Sequence, residues 1–177
     1  MAGAAVSAIS AAWLLVAVAF PNGGATRHVP ILAASEERAI ASTAKASSAA
    51  GRDLARADTM QSLRLSPYNS WAWCRLAYID AQRNGAVGPD GLHALEMSYK
   101  AAPLGPAVTR WRLVFLFNHW GDLTPELRLQ AQRELRARGP LTRDLVKLLL
   151  DHVDDPSGSL ALTLMLARMP KPAQLAP

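Results

Sequence analysis

Residues 62–106 read SLRLSPYNSWAWCRLAYIDAQRNGAVGPDGLHALEMSYKAAPLGP. Three interruptions divide the stretch: Ser66-Pro67-Tyr68-Asn69, the run from Asn84 to Gly91, and Pro103-Leu104-Gly105-Pro106. Proline removes a backbone donor and glycine frees the chain to turn, so each cluster ends a helix. Between them Trp73, Leu76, Ala77 and Asp80 recur at helical spacing, and Leu92, Leu95, Met97 and Tyr99 offer contacts for a further helix. Helices over about 70–83 and 91–102 follow, joined by a Gly/Pro/Asp loop.

The same punctuation continues outward. On the N-terminal side Ser35, followed by Glu36 and Glu37, reads as a helix start. One helical stretch is expected from there to about Leu65, with Ile40, Ala44, Leu54, Ala57 and Met60 as its packing positions. On the C-terminal side a helix over about 108–119 is apolar on nearly every side, the mark of a central helix. Pro125-Glu126 opens the next, which runs to Arg138 before Gly139-Pro140. Thr142 caps another, with Leu145, Leu148 and Leu149 on one stripe, and Ser157-Gly158-Ser159 opens the last, to Met169. Aromatic residues make up 6% of the chain, and Ala and Leu dominate the rest, so strands lack their usual material. The fold class is all-α, with a body over 35–170 and a tail over 171–177.

A repeat search finds one pattern. Ala55, Ser62 and Pro67 stand seven and five residues apart, and Ala94, Ala101 and Pro106 repeat that stride. Trp73, Leu76 and Ala77 lie on the helix between. This arrangement resembles the tetratricopeptide repeat, in which small residues let paired helices pack closely and a proline closes the unit. The spacing from Pro67 to Pro106 exceeds the family period of about 34 residues, and the surplus is assigned to the Gly85–Gly91 loop. The resemblance covers about residues 50–106 and weakens to 138. Arg112 stands where a further repeat would carry tryptophan. It implies antiparallel helix pairs in a short solenoid, with a partner held on the face built from first helices. Trp73, Ala77, Asp80 and Asn84 are the residues it points to, with core packing the rival role for Trp73.

Residues 2–20 contain no ionisable side chain, and Pro21-Asn22-Gly23-Gly24 ends the run. The length matches the roughly 20 apolar residues of a membrane-spanning helix. Three readings stand: a retained signal anchor, a signal peptide cut after Ala17-Val18-Ala19, or a buried helix of the body. The expected arrangement is an anchor over 1–20 and a linker over 21–34, giving a single-pass protein of a bacterial inner membrane. Arg27, Arg38 and Lys45 follow the segment and favour a cytoplasmic body by the positive-inside rule. Analogy with singly anchored repeat modules favours an extracytoplasmic one.

Chemistry is sparse. Cys74 is the single cysteine, which excludes an intrachain disulfide. No two of His28, His93, His119 and His152 lie within helical reach of one another, so local spacing does not support metal ligation, and no phosphate loop or nucleophile elbow occurs. No enzyme activity, cofactor or metal site is expected; the expected partner is a protein of a membrane assembly. The net charge is +5, and Arg128, Arg133, Arg136, Arg138 and Arg143 form a basic region. Its rival readings are a solvated face and a site for nucleic acid or another anionic polymer. No reading helix or aromatic platform accompanies it, which favours the solvated face.

Overall fold

The computed structural model describes residues 32–138 and 143–169. The apolar segment 2–20, most of the expected linker, the Gly139-Pro140 stop, the Thr142 cap and the tail lie outside the described residues. Among those residues there are eight α-helices: α1 (Leu32–Ala44), α2 (Ala49–Leu65), α3 (Ser70–Asn84), α4 (Pro89–Ala101), α5 (Pro106–Asn118), α6 (Pro125–Arg138), α7 (Arg143–His152) and α8 (Pro156–Ala167), with a 3-10 turn at Trp120–Asp122. No helix among them is long and apolar enough to cross a membrane.

Successive helices pack in pairs, most extensively α1 on α2 and α3 on α4, with α2 also against α3. The all-apolar α5 is central: α3, α6, α7 and α8 all rest on it. Local chemistry sets the boundaries. Asn69 Oδ1 accepts from the amides of Trp71 and Ala72 to cap α3, and Gly85 ends it at φ 73°, where a side chain would be strained. Proline occupies the first turn of α4, α5 and α8.

Two expectations are corrected at the N-terminal end. Ser35 does not cap a helix: it lies inside α1, buried, and accepts from Arg38 Nη2 at 3.0 Å. The stretch 35–65 is two helices, although no proline interrupts it. Ser42 Oγ donates to the Arg38 carbonyl and Thr43 Oγ1 to that of Ala39. These hydroxyls compete for the backbone at the end of α1. Ser48 then caps α2 by accepting from the Gly51 amide at 3.1 Å. The chain reverses, and the face that turns inward is small and polar: Ser35, Arg38 and Ala39 on α1, Ala55, Asp58, Thr59 and Ser62 on α2. Of the apolar positions expected to pack, Ile40 and Leu54 remain 48% and 44% exposed.

Buried positions recur along successive helices, at a spacing other than the expected one. Ala55, Asp58, Thr59, Ser62 and Leu63 are the buried positions of α2; Gly91, Ala94, Leu95, Ser98 and Tyr99, each 36 residues on, are those of α4. Another 36 residues on from Gly91, Leu95, Ser98 and Tyr99 stand Leu127, Ala131, Glu134 and Leu135, all buried on α6. The turns agree: Ser66 ends α2 at φ −142°, ψ 80°, and Ala102 ends α4 at φ −151°, ψ 83°. Pro67 therefore corresponds to Pro103, not Pro106, and Ser62 to Ser98, not Ala101. The expected offset of 39 residues was set by the wrong proline of the pair in Pro103-Leu104-Gly105-Pro106. The surplus over the period of about 34 residues, assigned to the Gly85–Gly91 loop, shrinks accordingly.

Candidate interaction groove and the buried network behind it

The buried residues of α3 are mostly small, Ala72, Cys74, Ala77 and Ala81, with Ile79 beside them. A second stripe, Trp71, Arg75, Tyr78 and Gln82, follows the four-three-four spacing of one helix face. On α5 the matching stripe is Trp111, Val114, Phe115 and Asn118. Together with Thr43 at the end of α1, these stripes line one groove made of adjoining clefts. Trp71 and Tyr78 keep 40% and 38% of their surface exposed. The rings form a continuous row: Trp71 lies 6.3 Å from Trp111, Trp111 stacks on Phe115 at 4.8 Å and 13°, and Phe115 meets His119 at 4.5 Å. At the floor Arg75 Nη2 donates to Glu36 Oε1 at 2.6 Å, tying α1 to α3, and the Ser62 hydroxyl donates to the other Glu36 oxygen. Partial burial alone would raise the Glu36 carboxyl; the bonds from Arg75 and Ser62 outweigh it and hold the group below the usual carboxylate range.

The four residues singled out from sequence lie on other sides of α3. Ala77 is fully buried. Trp73 donates its Nε1 to the Pro67 carbonyl at 2.8 Å and sets its edge to His93. Asp80 accepts from the amides of Gly88 and Gly91 at 2.8 and 3.1 Å and from Asn84 Nδ2 at 2.9 Å, closing the loop into α4. A Cβ at Gly91 would come within 2.6 Å of that carboxylate, so the close approach requires glycine. The structure brings Asp80 and Asn84 together as a loop brace and assigns neither to the groove. The groove stripe begins two residues before Trp73, at the other tryptophan of Trp71-Ala72-Trp73.

The basic region is not brought together as one site. Arg128 Nε and Nη2 donate to the carbonyls of Trp120 and Gly121 at 3.2 and 3.3 Å, with its guanidinium 5.7 Å from the Trp120 ring. Arg133, Arg136 and Arg143 are exposed, and the side chain of Arg138 lies outside the description.

Behind the groove, Arg112 and Glu134 are both fully buried and form an ion pair at 2.6 Å. Every face of the pair is occupied. Glu134 accepts from Arg112 Nε and Nη2, from Tyr99 Oη at 2.8 Å and from Thr109 Oγ1 at 2.7 Å. Arg112 also donates to the carbonyls of Ser98, Ala102 and Pro103, the last turn of α4 and its exit, and its guanidinium lies 3.9 Å over the Tyr99 ring. The Ser98 carbonyl also accepts from the Ala102 amide and that of Ala102 from the Gly105 amide, so the arginine adds a second donor to the C-terminal end of α4 and joins α4, α5 and α6. Burial pushes the Tyr99 hydroxyl well above its ordinary range and the Cys74 thiol up to about 11. Cys74, 3.1 Å from the Ser98 hydroxyl, is therefore a protonated packing residue at neutral pH.

Among the described residues no group of three or more His, Cys, Asp or Glu side chains could hold a metal ion. No protein-family model, curated protein or solved structure matches this chain.

Proposed function

We propose that this chain is a non-enzymatic scaffold of tetratricopeptide-like construction, attached to a membrane through residues 2–20, that holds a protein partner in the α1–α3–α5 groove. The observation that carries the reading is the aromatic row from Trp71 to His119, in which Trp71 is exposed, Trp111 and His119 are partly exposed and Phe115 is buried beneath them. Monomeric proteins seldom leave a contiguous aromatic surface in a concave site unless it is used, and tryptophan and tyrosine are the residues most enriched where partners bind. The buried Arg112–Glu134 pair supports the same reading, since it fixes α5, one of the helices whose faces form the groove, against α4 and α6. By analogy with other small anchored proteins, the setting is an accessory role in a bacterial cell-envelope polysaccharide or secretion assembly.

The test compares proteins crosslinked in membranes to the full-length chain with those crosslinked to its Trp71→Ala and Trp111→Ala variants. A specific partner lost from both variants, but kept by an Arg136→Ala control, is the expected result. An unchanged set of partners sinks the groove reading. Attachment is tested separately: the full chain should resist carbonate extraction, and a chain beginning at Thr26 should be soluble and helical.

A further inference from the structure

Among the described residues, two buried side-chain polar atoms lack a hydrogen-bond partner: Nη1 of Arg75 and Nε of Arg52. Native proteins keep few such atoms, and each leaves a donor desolvated without return. Both arginines line the same groove, in adjoining clefts that share Thr43 and Tyr78. Their other bonds are accounted for. Arg75 spends Nη2 on Glu36, and Arg52 spends Nη1 on the Ser47 carbonyl at 3.2 Å. Glu36 is already taken by Arg75 and Ser62, and no carboxylate lines either cleft. This end of the groove thus carries two guanidinium donors without a matching acceptor, beside an exposed tryptophan.

We infer that the groove takes an extended acidic peptide segment, with an Asp or Glu side chain at Arg52 and Arg75 and a bulky apolar residue against Trp71 and Trp111. This rests on the reading of the groove as the partner site. Arginine meets carboxylate through paired, charge-assisted bonds, among the strongest available to a side chain. The tryptophan rings, 6.3 Å apart and tilted, present the apolar surface a neighbouring side chain would cover. A single peptide strand supplies both groups at adjacent positions. A polyanion such as nucleic acid asks for a row of cations tracking its backbone, and these clefts hold two.

Selection of short randomised peptides, displayed inside a phage coat protein so that no free C-terminus is present, on the full-length chain in detergent tests this. The expected winners pair Asp or Glu with Trp, Phe or Leu. A fluorescein-labelled copy with blocked ends should lose about tenfold in affinity on Arg52→Gln, the loss of one charge-assisted bond, and should lose binding on Trp71→Ala. Arg52→Gln leaves the Arg75–Glu36 pair in place, so its fold is checked by an unchanged circular dichroism spectrum. Winners that depend on Trp71 but carry no acidic residue, or bind Arg52→Gln equally well, overturn the carboxylate inference and leave the groove reading standing. Absence of any peptide sensitive to Trp71→Ala overturns both.

Discussion

The α1–α2 hairpin and the α4–α6 region solve the same packing problem with opposite materials. Around α5 the interior is apolar, with Leu95, Leu113, Leu116, Phe117 and Leu135 at or near zero exposure, and one ion pair is sealed within it. In the hairpin the inward face carries Ser35, Arg38, Asp58, Thr59 and Ser62, while Ile40 and Leu54 look outward. The first arrangement draws stability from burial of apolar area and then adds a polar clamp. The second depends on polar side chains satisfying one another, with Glu36 reaching across to Ser62 and Arg75. Each repeat places a polar group at the same point, Ser62, Ser98 and Glu134 at 36-residue intervals, and its surroundings decide how much it costs to disturb.

The largest effect is expected at the sealed pair. Arg112→Met leaves a buried carboxylate without its cation and removes the guanidinium bonds to the carbonyls of Ser98, Ala102 and Pro103. A loss of about 3–5 kcal/mol follows, measurable by denaturant unfolding. Arg112→Met combined with Glu134→Met should recover much of that loss, because apolar residues of similar volume replace both charges. A double variant as unstable as the single one would mean that the pair acts mainly as the α4 cap.

A smaller effect probes the apolar side of the comparison. Gly158 at the start of α8 lies against the backbone of Phe117, and an added Cβ would overlap the Phe117 carbonyl. Gly158→Ala should push α8 off α5 and cost about 1–3 kcal/mol. Hydrogen exchange should report the loss in α8 and α5 and leave α1 and α2 unchanged. Uniform deprotection would show that the two regions unfold as one unit.

The hairpin should answer to pH through Glu36. The Glu36 carboxyl is held below its ordinary range by Arg75 and Ser62, so it binds its proton less readily folded than unfolded. Its contribution is fully present above the unfolded carboxylate pKa and is lost as pH falls through the lowered folded value. Glu36→Gln should cost on the order of 1 kcal/mol at pH 7, less as the pH is lowered, and nothing extra once the wild-type carboxyl is protonated. Amide exchange of α1 across an acid titration checks this. A cost that is constant with pH would place the effect in packing.

These contrasts explain which parts of the fold could be read from the chain. Gly and Pro mark the ends of α3, α4, α5 and α8 because they act on their own backbone, and the expected limits of those helices fall within about two residues of the observed ones. The break at Lys45–Ser48 was hidden because Ser42, Thr43 and Ser48 act through side-chain bonds that are optional in sequence. Arg112 was read as standing where a further repeat would carry tryptophan, and no sequence pattern singled out Glu134. Charge in the middle of Trp111-Arg112-Leu113-Val114-Phe115 was itself a signal, since so apolar a helix can bury an arginine only beside an acid. Which acid depends on tertiary placement. The groove stripe was missed by choosing Trp73 over Trp71, and one helix seen alone gives no criterion for choosing between them.

The smallest expected effect decides the register. With the 39-residue offset, Ala101 stands where Ser62 does, at zero exposure, and Ala101→Leu would overpack a helix contact. With the 36-residue offset it stands where Leu65 does, and Leu65 is 37% exposed with a leucine already in place. Ala101 itself is half-buried at the last turn of α4. Ala101→Leu should therefore change stability by no more than about 0.5 kcal/mol, the range of a surface substitution. Ser98→Leu, at the buried position beside Arg112 and Cys74, should cost several times more. Denaturant midpoints of the two variants separate the registers directly. A large loss at Ala101 with a small one at Ser98 would restore the longer spacing and with it the proline at 106 as the closing residue of the unit.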